Sequence, residues 1–512
     1  MERARAGVEN AALFRARVFE RHLGIAPMIL TFKYDAQFYQ VYDDLLGAGI
    51  VLPKTRFCNM YDYFQGFDNT GGALRSVDTP MPLNTKWKHI GIDGTQDIRI
   101  HDEDDRYIMY RKTSRTTGDL EYVNVFSNGK KWRRDTYTNG RFLSRIQFLN
   151  PDTGEPAYEH YLRSDGSVAM IQLYTTKNGK PSLSRISLFR KDGCCFEEFS
   201  SEDELITYWL EQITEDQSRQ YIMISDRNRH YHRALRVLKA KHRKGSVQIV
   251  PVVHAVHTRS SFDVANSRTK DAYIDVLDYL DVQDAVIVST EKQKSDIIAR
   301  YGSGPVHVIP PVGNECANTL VIAPPERDVK RIVYLARYAD EKHHPMAIRA
   351  FARVLQNVPD ATLHLYGSGT RRGAIESLIA ELGIESSIRV NGFVSDVAPI
   401  YRSAGLSLLT SRGEGYSMVV MESLCHGCPV IAFDVNYGPS DMIEDGKNGA
   451  LIPFGDEERL ANTITRILTN TSLHHRMSEN SIESSLRFSS AAVAEKWRAL
   501  VEGISTKDFV SG

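Results

Sequence analysis

Hydrophobic and polar positions along the 512 residues fall into three successive textures. In residues 1–75 the apolar spacing is mixed: it predicts a helix over 11–22, a strand over 28–32 and a second helix over 37–47. Residues 76–214 change to short segments rich in Tyr, Phe, Val and Ile, such as EYVNVF, RFLSRIQFL and SVAMIQLY. Turn dipeptides separate them: Asp93-Gly94, Asn128-Gly129, Asn139-Gly140, Asp165-Gly166, Asn178-Gly179 and Asp192-Gly193, with Gly118 and Gly154 filling two gaps. Asn-Gly and Asp-Gly suit the positive φ angles of tight hairpin turns. Their regular recurrence predicts an antiparallel β-meander.

From about residue 215 the α/β texture returns. Buried strands are predicted over 221–225, 248–254, 285–288 and 306–309, with helical stretches between them. Residues 314–330, NECANTLVIAPPERDVK, read as a linker. A fresh series of strands then follows over 331–335, 362–366, 388–390, 406–409 and 430–433. Strands that alternate with helices argue for parallel sheets covered by helices. The predicted fold class is therefore α/β, with two doubly wound Rossmann-like domains facing a cleft and an antiparallel meander inserted in the first. The boundaries are 1–75 with 215–318 for the amino-terminal domain, 76–214 for the insert and 319–490 for the second domain. A terminal helix and tail occupy 491–512. Ligands are expected at the carboxyl ends of the strands.

Composition narrows the class only a little. Apolar residues make up 42% and charged residues 25%, which excludes a disordered, collagen-like or long coiled-coil chain. The formal net charge is −1, so global charge predicts no polyanion partner. Six cysteines are too few for a disulfide scaffold. Cys425 and Cys428 form a lone C-x-x-C without a second ligand pair and read as small buried residues rather than a zinc site. Cys194-Cys195 falls in a predicted turn. Residues 1–24 are Arg-rich but lack the apolar core of a signal peptide. The most apolar internal run, 247–256, is shorter than the ~20 residues that span a bilayer. A cytoplasmic protein is expected.

Candidate chemistry concentrates in 411–449. A strand ending near 409 leads through a Gly-bearing turn into a helix near Ser417. The amides of Ser417, Met418 and Val419 would lie unpaired at its N-terminus, where a phosphate or diphosphate binds readily. Glu414 precedes this helix and Glu422 lies in its second turn. The two acids suit the hydroxyls of a sugar, although alone they read equally as a capping acid and a helix-surface acid. Arg337 and Lys342, in YLARYADEKHHP, follow the first strand of the second domain. They would neutralise a leaving diphosphate, or stand as solvated loop charges. Gly367, in YGSG, lets backbone approach a ligand, which is a weak signal by itself. Gly392 and Phe393, in VNGFV, offer backbone at a strand end where a nucleobase would lie. His254 and His257 follow the buried strand in VVHAVHTRS. No carboxylate or third histidine stands at ligand spacing from them, so no metal site is expected.

Together these segments, over roughly 328–460, resemble the donor domain of glycosyltransferase family four, a retaining GT-B family. The E-x7-E pair corresponds to Glu414 and Glu422, and the phosphate-binding pair to Arg337 and Lys342. The resemblance implies that Glu422 holds the ribose and that Glu414 contacts the donor sugar. It also implies that the amides of Ser417, Met418 and Val419 bind the diphosphate and that Gly415 and Tyr416 belong to the donor-binding site. It places a histidine against donor sugar or acceptor. His257 fits the His-Thr pattern slightly better, and His254 stays open. A Gly-rich loop would precede the first helix, and only Gly7 remains of it, with the first strand apparently missing. No cofactor is implied beyond the donor, UDP-glucose or UDP-N-acetylglucosamine.

The inserted meander narrows the resemblance. It is similar to the β-domain of the wall teichoic acid enzymes, the poly(glycerol-phosphate) α-glucosyltransferases and poly(ribitol-phosphate) α-N-acetylglucosaminyltransferases. The initiating glycosyltransferases of serine-rich adhesins share that layout. Asn436-Tyr437-Gly438-Pro439 and LTFKYDAQFYQVYDDLLGAGIV (30–51) fit the teichoic acid group. The expected acceptor is a polyol-phosphate polymer. A Ser/Thr protein acceptor, or an inactive acceptor-binding subunit, is the alternative. The basic stretch 227–245, with Arg229, Arg233 and Arg236, reads as a solvated helix face. It would otherwise track the phosphates of the polymer or lie on the anionic inner leaflet of the membrane. Aromatic residues for stacking nucleic acid are sparse there, so no nucleic-acid partner is expected. Self-association through the meander is expected from its unpaired edges.

Overall fold

Runs of Val, Ile and Leu that are buried on both faces build the parallel sheets of this chain, and alternating Tyr/Phe/Val segments build its antiparallel one. A computed structural model describes residues 7–67, 86–138, 142–216, 218–313 and 327–506. By their internal contacts the residues group into two units. One holds 1–18, 218–232 and 242–512; the other holds 19–217 and 233–241.

The first unit contains two parallel sheets. The smaller orders its strands as Tyr221–Ser225, Val247–Val253, Val286–Val288 and Val306–Val308. Every residue of Val247–Val253 is buried, as expected for a central strand with both faces covered. The larger sheet runs Ile388–Val390, Thr362–Tyr366, Asp328–Leu335, Ala404–Leu409, Val430–Asp434 and Gly449–Pro453, all parallel. Its strand order reverses beside Asp328–Leu335, so the loops after that strand and after Ala404–Leu409 open the crevice where such sheets bind ligands. Its core joins Ile332, Tyr334, Phe351, Leu363, Leu406 and Ile431.

The sequence expectations meet three adjustments here. The strand Gly449–Pro453 has no counterpart among the expected strands. Residues 328–330, assigned to the linker, are the start of Asp328–Leu335; of the rest of that linker, 314–326 lies outside the described residues. The helix expected over 11–22 is the α-helix Gly7–Val18 followed by a π-helical turn, Phe19–Leu23.

The second unit carries a ten-stranded antiparallel sheet whose neighbours follow chain order from Lys88–Gly91 to Cys195–Phe199. At two of its hairpins both turn residues have positive φ: Asn128 and Gly129, and Asn178 and Gly179. That is the type I′ geometry for which Asn-Gly is suited. Asn139-Gly140 lies outside the described residues. Residues 202–213 were read within the meander but form the α-helix Glu202–Ile213, opened by the Ser201 hydroxyl accepting from the Glu204 amide. The same unit holds the short parallel pair Met28–Thr31 and Arg56–Asn59 and the helix Phe38–Gly47.

Of the C-x-x-C cysteines, Cys428 is buried with a free thiol, whereas Cys425 is only half-buried and is disulfide-bonded. No helix among the described residues is long and apolar enough to cross a membrane.

Candidate functional site

The loop after Ala404–Leu409 is forced close to the smaller sheet by its glycines. A Cβ on Gly415 would lie 1.9 Å from the carbonyl oxygen of His254, the residue just past Val247–Val253. A Cβ on Gly413 would lie 2.9 Å from Ser261 Cβ. Only glycine permits backbone approach of this kind. Hydrogen bonds secure it. Ser261 Oγ donates to the Arg412 carbonyl at 2.8 Å, Asn436 Nδ2 to the Ser261 carbonyl at 2.9 Å, and the Tyr437 hydroxyl to Asp296 at 2.7 Å.

The loop then enters the helix Met418–Cys425 through Ser417, whose backbone is left-handed (φ 69°). Val420 N donates to Ser417 O at 2.9 Å and closes the first turn. The amides of Ser417, Met418 and Val419 lie ahead of it, where a helix has no internal acceptor to offer. The hydroxyls of Ser417, Tyr416 and Ser411 are buried without a hydrogen-bond partner. Unpaired buried polar atoms of this kind call for a ligand or water. A Cβ on Gly7 would lie 3.4 Å from Met418 Cε, which puts the first described residue beside this helix start.

The charges are distributed unevenly. Lys342 Nζ lies 2.6 Å from Glu414 Oε1, with side chains only 16% and 14% exposed. The lysine backbone is itself fixed: the Tyr334 hydroxyl donates to its carbonyl, and Thr410 Oγ1 lies 3.1 Å from the same oxygen. Arg337 is 74% exposed and pairs with Glu341 at 2.7 Å. The two cations read as a pair from sequence therefore have different partners. Glu422 is half-buried, and that burial pushes its carboxyl up to about 7. No hydrogen bond or ion pair from the described residues reaches that carboxylate.

The glycines differ in kind. A Cβ on Gly367 would lie 2.0 Å from the Ala336 carbonyl, and the Gly367 amide donates to Gly392 O at 3.1 Å. Gly392 itself has open space around a Cβ, and Phe393 is 59% exposed at the mouth of the same loop.

The two histidines separate clearly. His257 is fully buried, and burial pushes its imidazole down to about 4. Neither ring nitrogen has a hydrogen-bond partner, and the ring stacks on Tyr437. His254 bonds Asp226 through Nε2 at 2.7 Å. Sequence reading missed Asp226 and Arg15, which grips that carboxylate. An acid directly after a buried strand was the available signal for Asp226; Arg15 had none. Along the basic helix Asn228–Lys241, Arg229 and Arg233 are exposed and Arg236 is half-buried. Among the described residues, no group of three or more His, Cys, Asp or Glu could hold a metal ion.

The family model described as Glycosyl transferases group 1 matches residues 322–484. This chain carries a group 1 glycosyltransferase domain. The match spans the larger parallel sheet and the loop from Arg412 to Val419. The poly(glycerol-phosphate) alpha-glucosyltransferase of Bacillus subtilis (strain 168) is 23% identical over 96% of this chain and 72% of its own length. The UDP-N-acetylglucosamine--peptide N-acetylglucosaminyltransferase GtfA subunit of Streptococcus gordonii is 26% identical over 98% and 96%. A crystal structure of a mutant of S. aureus TarM, in complex with Fondaparinux, alpha-GlcNAc-glycerol and UDP, superposes with a TM-score of 0.79. It is 21% identical over 98% of this chain and 97% of that one. The chain therefore has the GT-B fold with a large antiparallel sheet, as its sequence leads one to expect.

Proposed function

We propose that the protein is a retaining, metal-independent glycosyltransferase that moves glucose or N-acetylglucosamine from a UDP-sugar to a poly(glycerol-phosphate) or poly(ribitol-phosphate) teichoic acid chain. The Lys342–Glu414 pair carries this reading. It sets a cation and a carboxylate, both largely shielded from water, beside the open N-terminus of Met418–Cys425. A diphosphate suits that helix start and the lysine, and a sugar hydroxyl suits the glutamate. Glu422, half-buried and without a partner for its carboxylate among the described residues, suits the ribose. The backbone around Gly367, Gly392 and Phe393 suits the base.

The reaction is a front-face displacement. The bond from the anomeric carbon to the β-phosphate oxygen breaks, and the acceptor hydroxyl oxygen bonds to that carbon from the same side. Its proton passes to the departing phosphate oxygen, whose charge Lys342 and Arg337 stabilise. A histidine, His254 or His257, orients donor and acceptor. Residues 1–75 with 215–318 serve the acceptor side and 319–490 the donor, with 76–214 as an insert and 491–512 as a closing helix and tail. The protein works in the cytoplasm, at the inner face of the membrane where the polymer is built. It self-associates through the free edges of its antiparallel sheet.

The Streptococcus gordonii relative favours a second reading, the same chemistry on a peptide acceptor. Incubation with a panel of UDP- and GDP-sugars, with and without acceptor, tests both. UDP release from one donor, accelerated by teichoic acid, is expected. Acceleration by Ser/Thr-rich peptide alone would replace the acceptor assignment. No binding of any nucleotide sugar by calorimetry would sink the enzymatic reading and favour an acceptor-binding subunit.

A further inference from the structure

Strands Tyr221–Ser225 and Val247–Val253 are parallel neighbours, with Ser225 opposite Pro251. The next residue after the first is Asp226, and the next after the second is His254. Both side chains thus leave the sheet at one carboxyl edge, and His254 Nε2 meets Asp226 Oδ1 at 2.7 Å. Arg15, on the helix Gly7–Val18, takes both oxygens of the same carboxylate: Nη1 lies 3.1 Å from Oδ1, and Nη2 bonds Oδ2. Its guanidinium also lies over the ring of Trp497, 5.5 Å from the centroid, on the helix Ser490–Thr506. Solvent reaches little of the Arg15, Asp226 and His254 side chains.

Burial alone would raise the Asp226 carboxyl, but Arg15 and His254 outweigh it and hold the group well below the usual carboxylate range. Asp226 is therefore an ionised, accept-only group, so the nitrogen that faces it carries a hydrogen. The other nitrogen, Nδ1, receives no hydrogen bond from the described residues. The carbonyl of this same histidine is the atom that Gly415 packs against, so the backbone of His254 lies against the Glu414–Ser417 loop. His257, three residues on, offers no comparable anchor: both of its nitrogens are unbonded.

We propose that Asp226 is a positioning residue for sugar transfer: clamped by Arg15, it holds His254 as the Nε2–H tautomer and leaves Nδ1 to accept a hydrogen bond from a hydroxyl of the bound substrate. The sugar-transfer clause rests on the proposed function; the tautomer does not.

Side-chain nitrogen NMR on the full chain, with the His254 signals identified by loss in His254→Gln, reads the tautomer directly. The wild type is expected to show Nδ1 unprotonated and Nε2 protonated. Asp226→Asn is expected to lose this single tautomer and to lower kcat by about 10- to 100-fold, as for other groups that orient a ring nitrogen. KM for the UDP-sugar should stay within about twofold, because the clamp does not touch the donor. Asp226→Glu, which restores the carboxylate, is expected to recover part of kcat. A hydrogen on Nδ1 in the wild type overturns the proposal even if neither Asp226 variant folds. A folded Asp226→Asn with wild-type kcat and only a lower Tm also overturns it, and leaves the clamp a structural one. If the wild type transfers no sugar at all, the proposed function fails and the NMR result alone judges the tautomer.

Discussion

At the scale of single residues, Lys342 and Arg337 are the sharpest contrast in the site. Lys342 is shielded from water and paired with Glu414 at 2.6 Å; Arg337 is mostly solvated and, among the described residues, pairs with Glu341 on its own segment. Lys342→Ala strands a largely buried carboxylate, so it should destabilise the fold by about 1–3 kcal/mol as well as slow transfer. Arg337→Ala removes an exposed pair and should change stability by less than ~0.5 kcal/mol. Its effect on activity is then a clean measure of its role at the departing diphosphate. Denaturant titration of both variants checks the first claim. Transfer by the double variant at near wild-type rate would refute the cation role.

Glu422 gives a pH dependence with a definite sign. Burial raises its carboxyl from 4.5 to about 7, so the folded chain holds this proton more tightly than the unfolded chain. The stability it contributes is complete below about 4.5 and is lost as pH rises through about 7. Glu422→Gln removes that loss. The difference in Tm, variant minus wild type, should therefore grow between pH 4.5 and 7.5 when measured without nucleotide. A difference that is flat with pH would mean that Glu422 titrates normally.

At the scale of elements, backbone approach rather than side-chain chemistry builds the site. Gly415→Ala would force a Cβ to 1.9 Å from a backbone oxygen, which no rotamer can relieve. The loop must move away from His254, and transfer should fall by well over tenfold with the chain still folded. Gly392→Ala meets open space and should be tolerated, apart from a modest rise in donor KM. If both substitutions behave alike in a transfer assay, the close approach of Gly415 to His254 does not matter for catalysis. The sequence made much of this scale legible. The strands 221–225, 362–366 and 388–390 stand where periodicity puts them, because long buried apolar runs between polar loops admit little else. Gly449–Pro453 was invisible because its apolar run is short and begins on a glycine. The helix Glu202–Ile213 was hidden among strands, although Ser201 followed by three acids carries a helix-start signal. Glu414, Glu422 and Lys342 could be picked out by residue type at a loop–helix junction. The Lys342–Glu414 pairing, and the clamp of Arg15 on Asp226, join residues 72 and 211 positions apart, which no local pattern encodes.

At the scale of the whole molecule, the net charge of −1 conceals a basic helix. Asn228–Lys241 is shared between the two units, with 228–232 grouped in one and 233–241 in the other. Its basic residues do not all project freely: Lys241 pairs with Glu211, and Arg227, just ahead of the helix, is engaged with Glu9 at 2.8 Å. Arg229 and Arg233 are the exposed members, and Arg236 is half-buried. If the acceptor is a polyol-phosphate polymer, its repeated charges meet these arginines through solvent, where attraction is screened over ~8–10 Å at physiological salt. KM for the polymer should then rise steeply between low and moderate ionic strength, while KM for the UDP-sugar should respond far less. Replacing Arg229, Arg233 and Arg236 together by Gln should raise the polymer KM at low salt and flatten its salt dependence. An uncharged peptide acceptor would show neither effect, because it carries no phosphate for the helix to attract. A salt-insensitive polymer KM in the wild type would remove the helix from acceptor binding and leave its arginines as a solvated face. The same titration run on a phosphate polymer and on a Ser/Thr-rich peptide therefore discriminates the two acceptor classes by the electrostatics of one helix, whichever of them proves to be the faster substrate.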